Sequence, residues 1–270
     1  MLQSDDLVQP VADLVIEAAE RFVLPLYRHL SSDDISLKAP LDYVTRADRD
    51  VEAFLLPRLV ALLPGSVTVG EESVHEDPGL LASLGNDLVW LVDPLDGTRN
   101  FVEGRPEFAI MVCLVAEGRA EMAWIYFPLL DKLILARRGE GVSINGIPAK
   151  AMTAVRSPPH GIVVHSGMPQ AISQTLASAT PAIGLTGSEL YSAAADCLTM
   201  LEGRLDFVLY WRTMPWDHAP CCLALTEAGG ACLRLDGQPY SPGDAKSGLV
   251  VTPDPAMTRR LARWMETQLA

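Results

Sequence analysis

The stretch Leu88–Phe101, LVWLVDPLDGTRNF, decides how the rest of the chain is read. Its first five residues are apolar without alternation, which suits a strand buried on both faces. The strand is expected to stop at Asp93-Pro94, because proline has no amide to give to a ladder. A turn follows in which Asp93 and Asp96 stand three residues apart, Gly97 permits a tight turn or a close backbone approach, and Thr98 adds a hydroxyl. Such a turn can receive cations and a phosphate, although Asp-Pro and Asp-Gly pairs also mark ordinary turns.

Composition narrows the classes. The 270 residues hold one large domain or two modest ones, and 49% hydrophobic content fits a folded chain with a sizeable core. The longest apolar run, Phe108 to Ala116, is too short to span a bilayer, and Met1 to Pro10 carries two Asp and no Lys or Arg. Neither a transmembrane helix nor a secretory signal is expected. A net charge of −13 argues against nucleic acid as a partner, since binding to a phosphate backbone depends on clustered Lys and Arg. Cys113, Cys197, Cys221, Cys222 and Cys232 are odd in number and never spaced C-x-x-C, so buried reduced thiols in a cytoplasmic protein are expected.

On either side of the central stretch the pattern alternates between helix and strand. Leu7, Val11, Leu14, Val15, Ala18, Phe22, Leu26 and Leu30 form a helical stripe that Pro25 kinks or breaks. Ser31 to Asp42, which contains Lys38, reads as a polar, broken loop. Thr45-Arg46-Ala47-Asp48 is a capping-box start for a helix through Leu59, so Asp48 has a capping role available to it. Ser66 to Val69 reads as a strand that delivers Gly70-Glu71-Glu72-Ser73 into a loop. Glu107 to Val115 and Glu121 to Phe127 read as strands joined at Glu117-Gly118, and more antiparallel pairing follows through Lys132 to Arg137 and the Asn145-Gly146 turn. Ser157-Pro158-Pro159 is the expected internal boundary. Beyond it come strands near Gly161 to Val164 and Leu205 to Tyr210, and helices over Met168 to Ala179 and Ser192 to Glu202. A third helix runs from Trp216 or Asp217 to Ala228, with Asp217 as a candidate N-cap and Pro220 in its first turn. Strand Gly248 to Thr252 and a helix from Asp254 to Leu269 close the chain. Strands and helices alternate in both halves, which argues for a layered α/β or α+β fold.

Asp48, Glu71, Asp93, Asp96 and Asp217 all fall at the ends of elements rather than within their faces. Gathered on one edge, five carboxylates repel strongly unless cations neutralise them. Oxygen donors without His or Cys select hard ions, Mg²⁺ first and Mn²⁺ as a substitute.

Asp93-Pro94-Leu95-Asp96-Gly97-Thr98 with Asn100-Phe101 resembles the first signature of the inositol monophosphatase family, and Trp216-Asp217-His218-Ala219 resembles the second. Gly70-Glu71-Glu72-Ser73, Val44-Thr45 with Asp48, Ala136 to Gly141 with Asn145-Gly146, and Glu227-Ala228-Gly229-Gly230 are similar to further family segments, in family order. The resemblance implies a layered αβαβα sandwich of the inositol monophosphatase / fructose-1,6-bisphosphatase type. It implies two halves, an N-terminal α+β half (1–155) with most metal ligands and a C-terminal α/β half (156–270) with Asp217, forming one catalytic unit. The implied activity is a Mg²⁺-dependent, lithium-sensitive phosphomonoesterase acting on a small-molecule phosphate ester, in a homodimer.

By position, the resemblance assigns one Mg²⁺ to Glu71, Asp93 and the carbonyl of Leu95, a second to Asp93, Asp96 and Asp217, and a third, weaker ion near Glu71. Thr98 backed by Asp48 orients the attacking water and relays its proton, with Glu71 in the catalytic set. Gly97 and Thr98 present amides to the phosphate. Lys38 corresponds to a family loop Lys near the metals, one residue short in its spacing to Asp48. Inositol-specific members place a Glu seven residues before the second-signature Asp, and here that residue is Tyr210, which donates a hydrogen bond but cannot accept as a carboxylate does. Fructose 1,6-bisphosphate, histidinol phosphate and 3′-phosphoadenosine 5′-phosphate therefore stand beside inositol monophosphate as substrates. A protein-binding regulator of the same fold is the reading from another class.

Overall fold

A computed structural model describes residues 5–150, 159–183, 190–244 and 246–269. Helix α1 (Asp5–Ala18) buries Leu7, Val11, Ala12, Val15 and Ala18. Its stripe continues through a wider turn at Ala19–Val23, so the regular helix ends ahead of Pro25. Ser31 to Asp42 is not the expected loop. It contributes the hairpin of β1 (Ile35–Ala39) and β2 (Asp42–Thr45), which pair antiparallel and only with each other. Helix α2 (Arg46–Leu62) opens on the expected capping box, with Thr45 as N-cap.

Strand β3 (Val67–Gly70) does not run into a loop, because the short helix α3 (Glu71–Glu76) begins at once. Strand β4 (Leu88–Asp96) extends three residues beyond the expected stop. Its ladder with the strand that follows the next helix is regular to Asp93↔Met111 and resumes at Asp96↔Ala109. Pro94 falls in the irregular step between these pairs, where no ladder amide is required of it. After α4 (Thr98–Val102), strands β5 (Ala109–Ala116), β6 (Arg119–Phe127), β7 (Lys132–Arg137), β8 (Gly141–Ile144) and β9 (Ile147–Ala149) follow as an antiparallel meander. Together β3 to β9 make a seven-stranded sheet in sequence order, with only β3 and β4 parallel.

The second half supplies β10 (Gly161–Val164), α5 (Gln170–Ile183), α6 (Ala193–Leu201), β11 (Phe207–Tyr210), α7 (Pro215–Glu227), β12 (Ala231–Arg234), β13 (Leu249–Thr252) and α8 (Pro255–Leu269). Its four strands form a sheet of order β10-β11-β13-β12. Two expectations for α7 fail. Met214 is its N-cap and Asp217 its third residue, and Pro220 lies in the helix interior, where it has no amide to return to the carbonyl four residues back. Of the expected boundary, Ser157 and Pro158 lie outside the described residues.

Three apolar cores explain the layering. Trp90 and Val92 of β4 pack with Val11, Val15, Val51 and Leu55 of α1 and α2. Val89 and Leu91, on the other face, share a core with Leu198, Leu223 and Ala224 of α6 and α7, and that core continues onto Val208 and Val251 of the smaller sheet. The far face of the smaller sheet, through Leu209 and Val250, packs on Leu176, Met257 and Leu261 of α5 and α8. The order is helix, sheet, helix, sheet, helix. Because β4 is covered on both sides, its apolar run shows no alternation. All five cysteines are free and buried, and no helix among the described residues is long and apolar enough to cross a membrane.

Candidate active site

The loops at one end of these layers bring the acids together. Asp48 enters from the first turn of α2, Glu71 from the start of α3, Asp93 and Asp96 from the end of β4, and Asp217 from the first turn of α7. Asp93 feels the charges of Glu71, Asp96 and Asp217, and its carboxyl shares a hydrogen bond with that of Asp217. Glu71, Asp96, Tyr210 and Asp217 line a cleft of about 540 Å³, between the ends of the two sheets. Asp48, Asp93 and the backbone around Leu95 lie beneath it, each almost wholly buried.

Burial and mutual repulsion set the electrostatics. Burial first, then Glu71, Asp96 and Asp217, raise Asp93 well above the usual carboxylate range. Asp217 is raised likewise by burial, then by Glu71 and Asp96, with its bond to Asp93 and the charge of Arg212 working against this. Asp96 rises only to about 6, because Ser192 Oγ and the amides of Ala193 and Ala194 donate to it. Asp96 thus caps α6 from a distant part of the chain, a task no local pattern announces. Burial, then repulsion from Glu71, lifts Glu72 to about 8. Lys38 reaches in from β1, its Nζ 2.9 Å from Glu71 and 2.6 Å from Glu72. Burial opposes its charge, but the two glutamates outweigh burial and hold the ammonium.

Asp48 does two jobs with two oxygens. Its Oδ2 accepts from the amide and hydroxyl of Thr45, at 2.8 and 2.5 Å, completing the cap. Its Oδ1 stands 2.9 Å from the hydroxyl of Thr98, which is also 2.9 Å from the carbonyl of Leu95. Burial pushes Asp48 up to about 6, against its hydrogen bonds. Thr98 is the first residue of α4, after Gly97 at φ 81°. A Cβ there would stand 2.7 Å from the carbonyl oxygen of Glu107, so the turn admits only glycine.

Glu52, one helical turn beyond Asp48, was not singled out in the sequence. Its carboxylate accepts from the amides of Glu72 and Ser73, both at 2.8 Å, and from the Ser73 hydroxyl, which fixes the helix start that carries Glu71. Its spacing of four from Asp48, on the same helical face, was the available signal. Tyr210 donates to Asp196 at 2.8 Å and packs edge-on to His218, so its hydroxyl is engaged. Burial lowers His218 to about 4, leaving it neutral.

Among the described residues no three His, Cys, Asp or Glu side chains form a ready-made metal cage. The donor chemistry nevertheless fits a hard cation: Glu71, Asp93, Asp96 and Asp217 offer oxygen alone, and the mutual repulsion that helps raise Asp93 and Asp217 is one that a cation would relieve.

A five-layer sandwich with carboxylates gathered at its strand ends, beside a hydroxyl held by a buried acid, defines the class as phosphatase. The chain belongs to the inositol monophosphatase family, whose model matches residues 7–269. It is 27% identical over 272 residues to the Nus factor SuhB of Escherichia coli K12, covering 97% of this chain and 98% of that protein. It is 28% identical over 235 residues to the inositol-1-monophosphatase of Bacillus subtilis, covering 83% and 84%. Among solved structures, the suhB protein of Bartonella henselae superposes with a TM-score of 0.73 at 26% identity, over 94% of this chain and 98% of that one. An IMPase of Thermotoga maritima shares the fold, with a TM-score of 0.79 at 20% identity over 98% and 100%. Members of the family are metal-dependent phosphatases of small phosphate esters.

Proposed function

We propose that this protein is a Mg²⁺-dependent phosphomonoesterase that hydrolyses a small-molecule phosphate, such as a polyol or sugar phosphate, by direct attack of water. The observation that carries this reading is the placement of the Thr98–Asp48 pair beside the Glu71, Asp93, Asp96 and Asp217 carboxylates. Glu71, Asp93, Asp217, the carbonyl of Leu95 and the outward lone pairs of Asp96 would hold the cations. A divalent ion bound there supplies Lewis-acid charge that makes water nucleophilic near neutral pH and stabilises the departing oxygen. Thr98 Oγ offers lone pairs to the attacking water and passes its own proton toward Asp48. Lys38 holds Glu71 in place, and the amides that open α4 face the phosphate oxygens. Lithium sensitivity and a homodimer accompany this reading as family expectations. The E. coli relative's name, a Nus factor, favours protein binding as the second reading.

Metal-stripped protein is expected to release phosphate from inositol 1-phosphate, fructose 1,6-bisphosphate, histidinol phosphate or 3′-phosphoadenosine 5′-phosphate only when Mg²⁺ is restored. If none is cleaved although Mg²⁺ raises the melting temperature, catalysis falls and protein binding takes its place.

A second expectation concerns stability. A carboxyl whose folded pKa is raised contributes stability while protonated and loses it as the pH climbs through the folded value. Between pH 6.5 and 8 this applies to Glu72, at about 8, and burial and mutual repulsion push Asp93 and Asp217 in the same direction. His218, at about 4, is neutral throughout that window. Metal-free protein is therefore expected to melt at falling temperature from pH 6.5 to 8. Mg²⁺ at about 100 times its Kd is expected to add roughly 3 kcal/mol, or about 5–10 °C. A calorimetric scan with no pH slope and no Mg²⁺ shift would remove the cation from the cleft.

A further inference from the structure

Two large side chains lining the cleft stand where the backbone favours glycine. Among the described residues, six that are not glycine have a φ between 48° and 66°. Four of these are polar and have local reasons. Glu117, Asp131 and Asn145 lie in hairpin turns of the larger sheet, and Arg28 donates to the carbonyl of Gly104 at 3.0 Å. The other two, Leu41 at 66° and Tyr191 at 55°, both line the cleft. A left-handed backbone strains a bulky residue, and strain of this kind gathers at functional sites.

In both places the fold needs the turn but not the side chain. Pro40-Leu41 is the two-residue turn of the β1–β2 hairpin, closed by the Ala39↔Asp42 pair, and a proline-led turn with positive φ at its second position usually has glycine there. Tyr191 leads into Ser192, Ala193 and Ala194, whose hydroxyl and amides hold Asp96. Glycine would make either turn with less strain. Burial does not explain the choice, since Leu41 is 65% and Tyr191 42% exposed. Each side chain therefore serves something outside the fold, and the cleft is what both border. Tyr191 is also braced, because the guanidinium of Arg99 lies 4.1 Å from its ring centroid and is held in turn by Glu103 at 3.0 Å. A ring fixed on one face needs little further ordering when a ligand packs against it. In the same cleft the Tyr210 hydroxyl is already given to Asp196, so that wall offers little to a polyol hydroxyl.

We propose that Leu41 and Tyr191 are specificity-determining residues, an apolar rim against which the apolar face of the leaving alcohol packs while its phosphate lies among the carboxylates. This rests on the phosphatase reading and adds to it the part of the site that reads the alcohol. A cleft of about 540 Å³ lined by acids and by these two side chains has the mixed character of small-ligand sites.

The test compares two esters of secondary alcohols in Mg²⁺, cyclohexyl phosphate and glycerol 2-phosphate, which differ in the apolar face they present. Wild-type protein is expected to have a KM about tenfold lower for cyclohexyl phosphate. Tyr191→Gly and Leu41→Gly are each expected to raise that KM about five- to tenfold, with a several-fold smaller effect on glycerol 2-phosphate and most of the loss in KM rather than kcat. Tyr191→Phe keeps the ring and is expected to stay within about twofold of wild type. Both glycine variants are expected to melt level with wild type or up to about 3 °C above it, because strain is relieved. Equal KM changes on the two esters, no wild-type preference, or glycine variants that melt lower would overturn the proposal and leave the phosphatase reading intact. If neither these esters nor the phosphates tested above release phosphate, that reading fails instead. Calorimetric binding of cyclohexyl phosphate then decides for the rim, and equal Kd values for wild type and Tyr191→Gly would overturn it.

Discussion

Asp93→Asn is expected to reduce phosphate release by at least about 10²–10³-fold, the loss typical when one preorganised electrostatic contact is removed from a reacting centre. Asp93 is the acid on which the others converge: Glu71, Asp96 and Asp217 all raise it, and it shares a hydrogen bond with Asp217. Asparagine has the same shape and can still accept from the amide of Leu95 through its carbonyl, as Asp93 does at 3.0 Å, so the bulge at the end of β4 is preserved. The substitution removes charge without removing structure. Stability is therefore expected to move the other way. Metal-free Asp93→Asn should melt above metal-free wild-type protein at pH 8, because one of four crowded carboxylates is gone, and it should gain little from added Mg²⁺. Turnover near the wild-type rate would place Asp93 outside the site. Lost activity together with lowered stability would show that its role is structural.

The opposite signs expected for activity and stability explain what could be read from the chain. Two-sided burial leaves a direct mark, so β4 was legible as an unalternating apolar run, and the stripe of α1 as a helical period. The hairpin of β1 and β2 left no such mark. It hydrogen-bonds to neither larger sheet, and Leu37 and Leu41 are exposed where a core strand would bury them, so a polar, irregular sequence folded into a pair of strands. Pro94 misled in the other direction, since a bulge tolerates a proline that a regular ladder would reject.

In the site, residues that act through their own turn were legible and those that act across the chain were not. Thr45 and Asp48 declare themselves at a spacing of three. Ser192 caps its own helix but also donates to Asp96, 96 residues away, and Glu52 secures the amides of Glu72 and Ser73 from 20 and 21 residues away. Gly70 is the trace of that second contact. A Cβ on it would stand 2.5 Å from Glu52 Cδ, so its glycine reflects a neighbour that no local pattern names. Lys38 is a single basic residue in a polar segment, and only the folded cleft shows that it pairs with two glutamates.

Thr98→Ala is expected to lower kcat by about 10²–10³-fold while changing KM and Mg²⁺ affinity by less than about threefold, the range for a positioned proton-transfer group. The Thr98 hydroxyl has one proton and two acceptors at equal distance, Asp48 Oδ1 and the Leu95 carbonyl, both at 2.9 Å. Once the Leu95 carbonyl is engaged elsewhere the proton points to Asp48, and the lone pairs of Oγ are left facing the cleft. Asp48 can receive a proton only when ionised, and burial places its pKa at about 6. Wild-type kcat is therefore expected to fall as the pH drops below about 6, and the fall should flatten in Thr98→Ala, where the path to Asp48 is cut. Thr98→Ser restores the hydroxyl at the same Cβ and should recover most of the rate. Asp48→Asn is a poorer probe, because Oδ2 also closes the α2 cap and its loss confounds stability with catalysis. An unchanged kcat in Thr98→Ala, or an acid limb that survives in it, would take the hydroxyl out of the proton path and leave Asp48 as a helix cap alone.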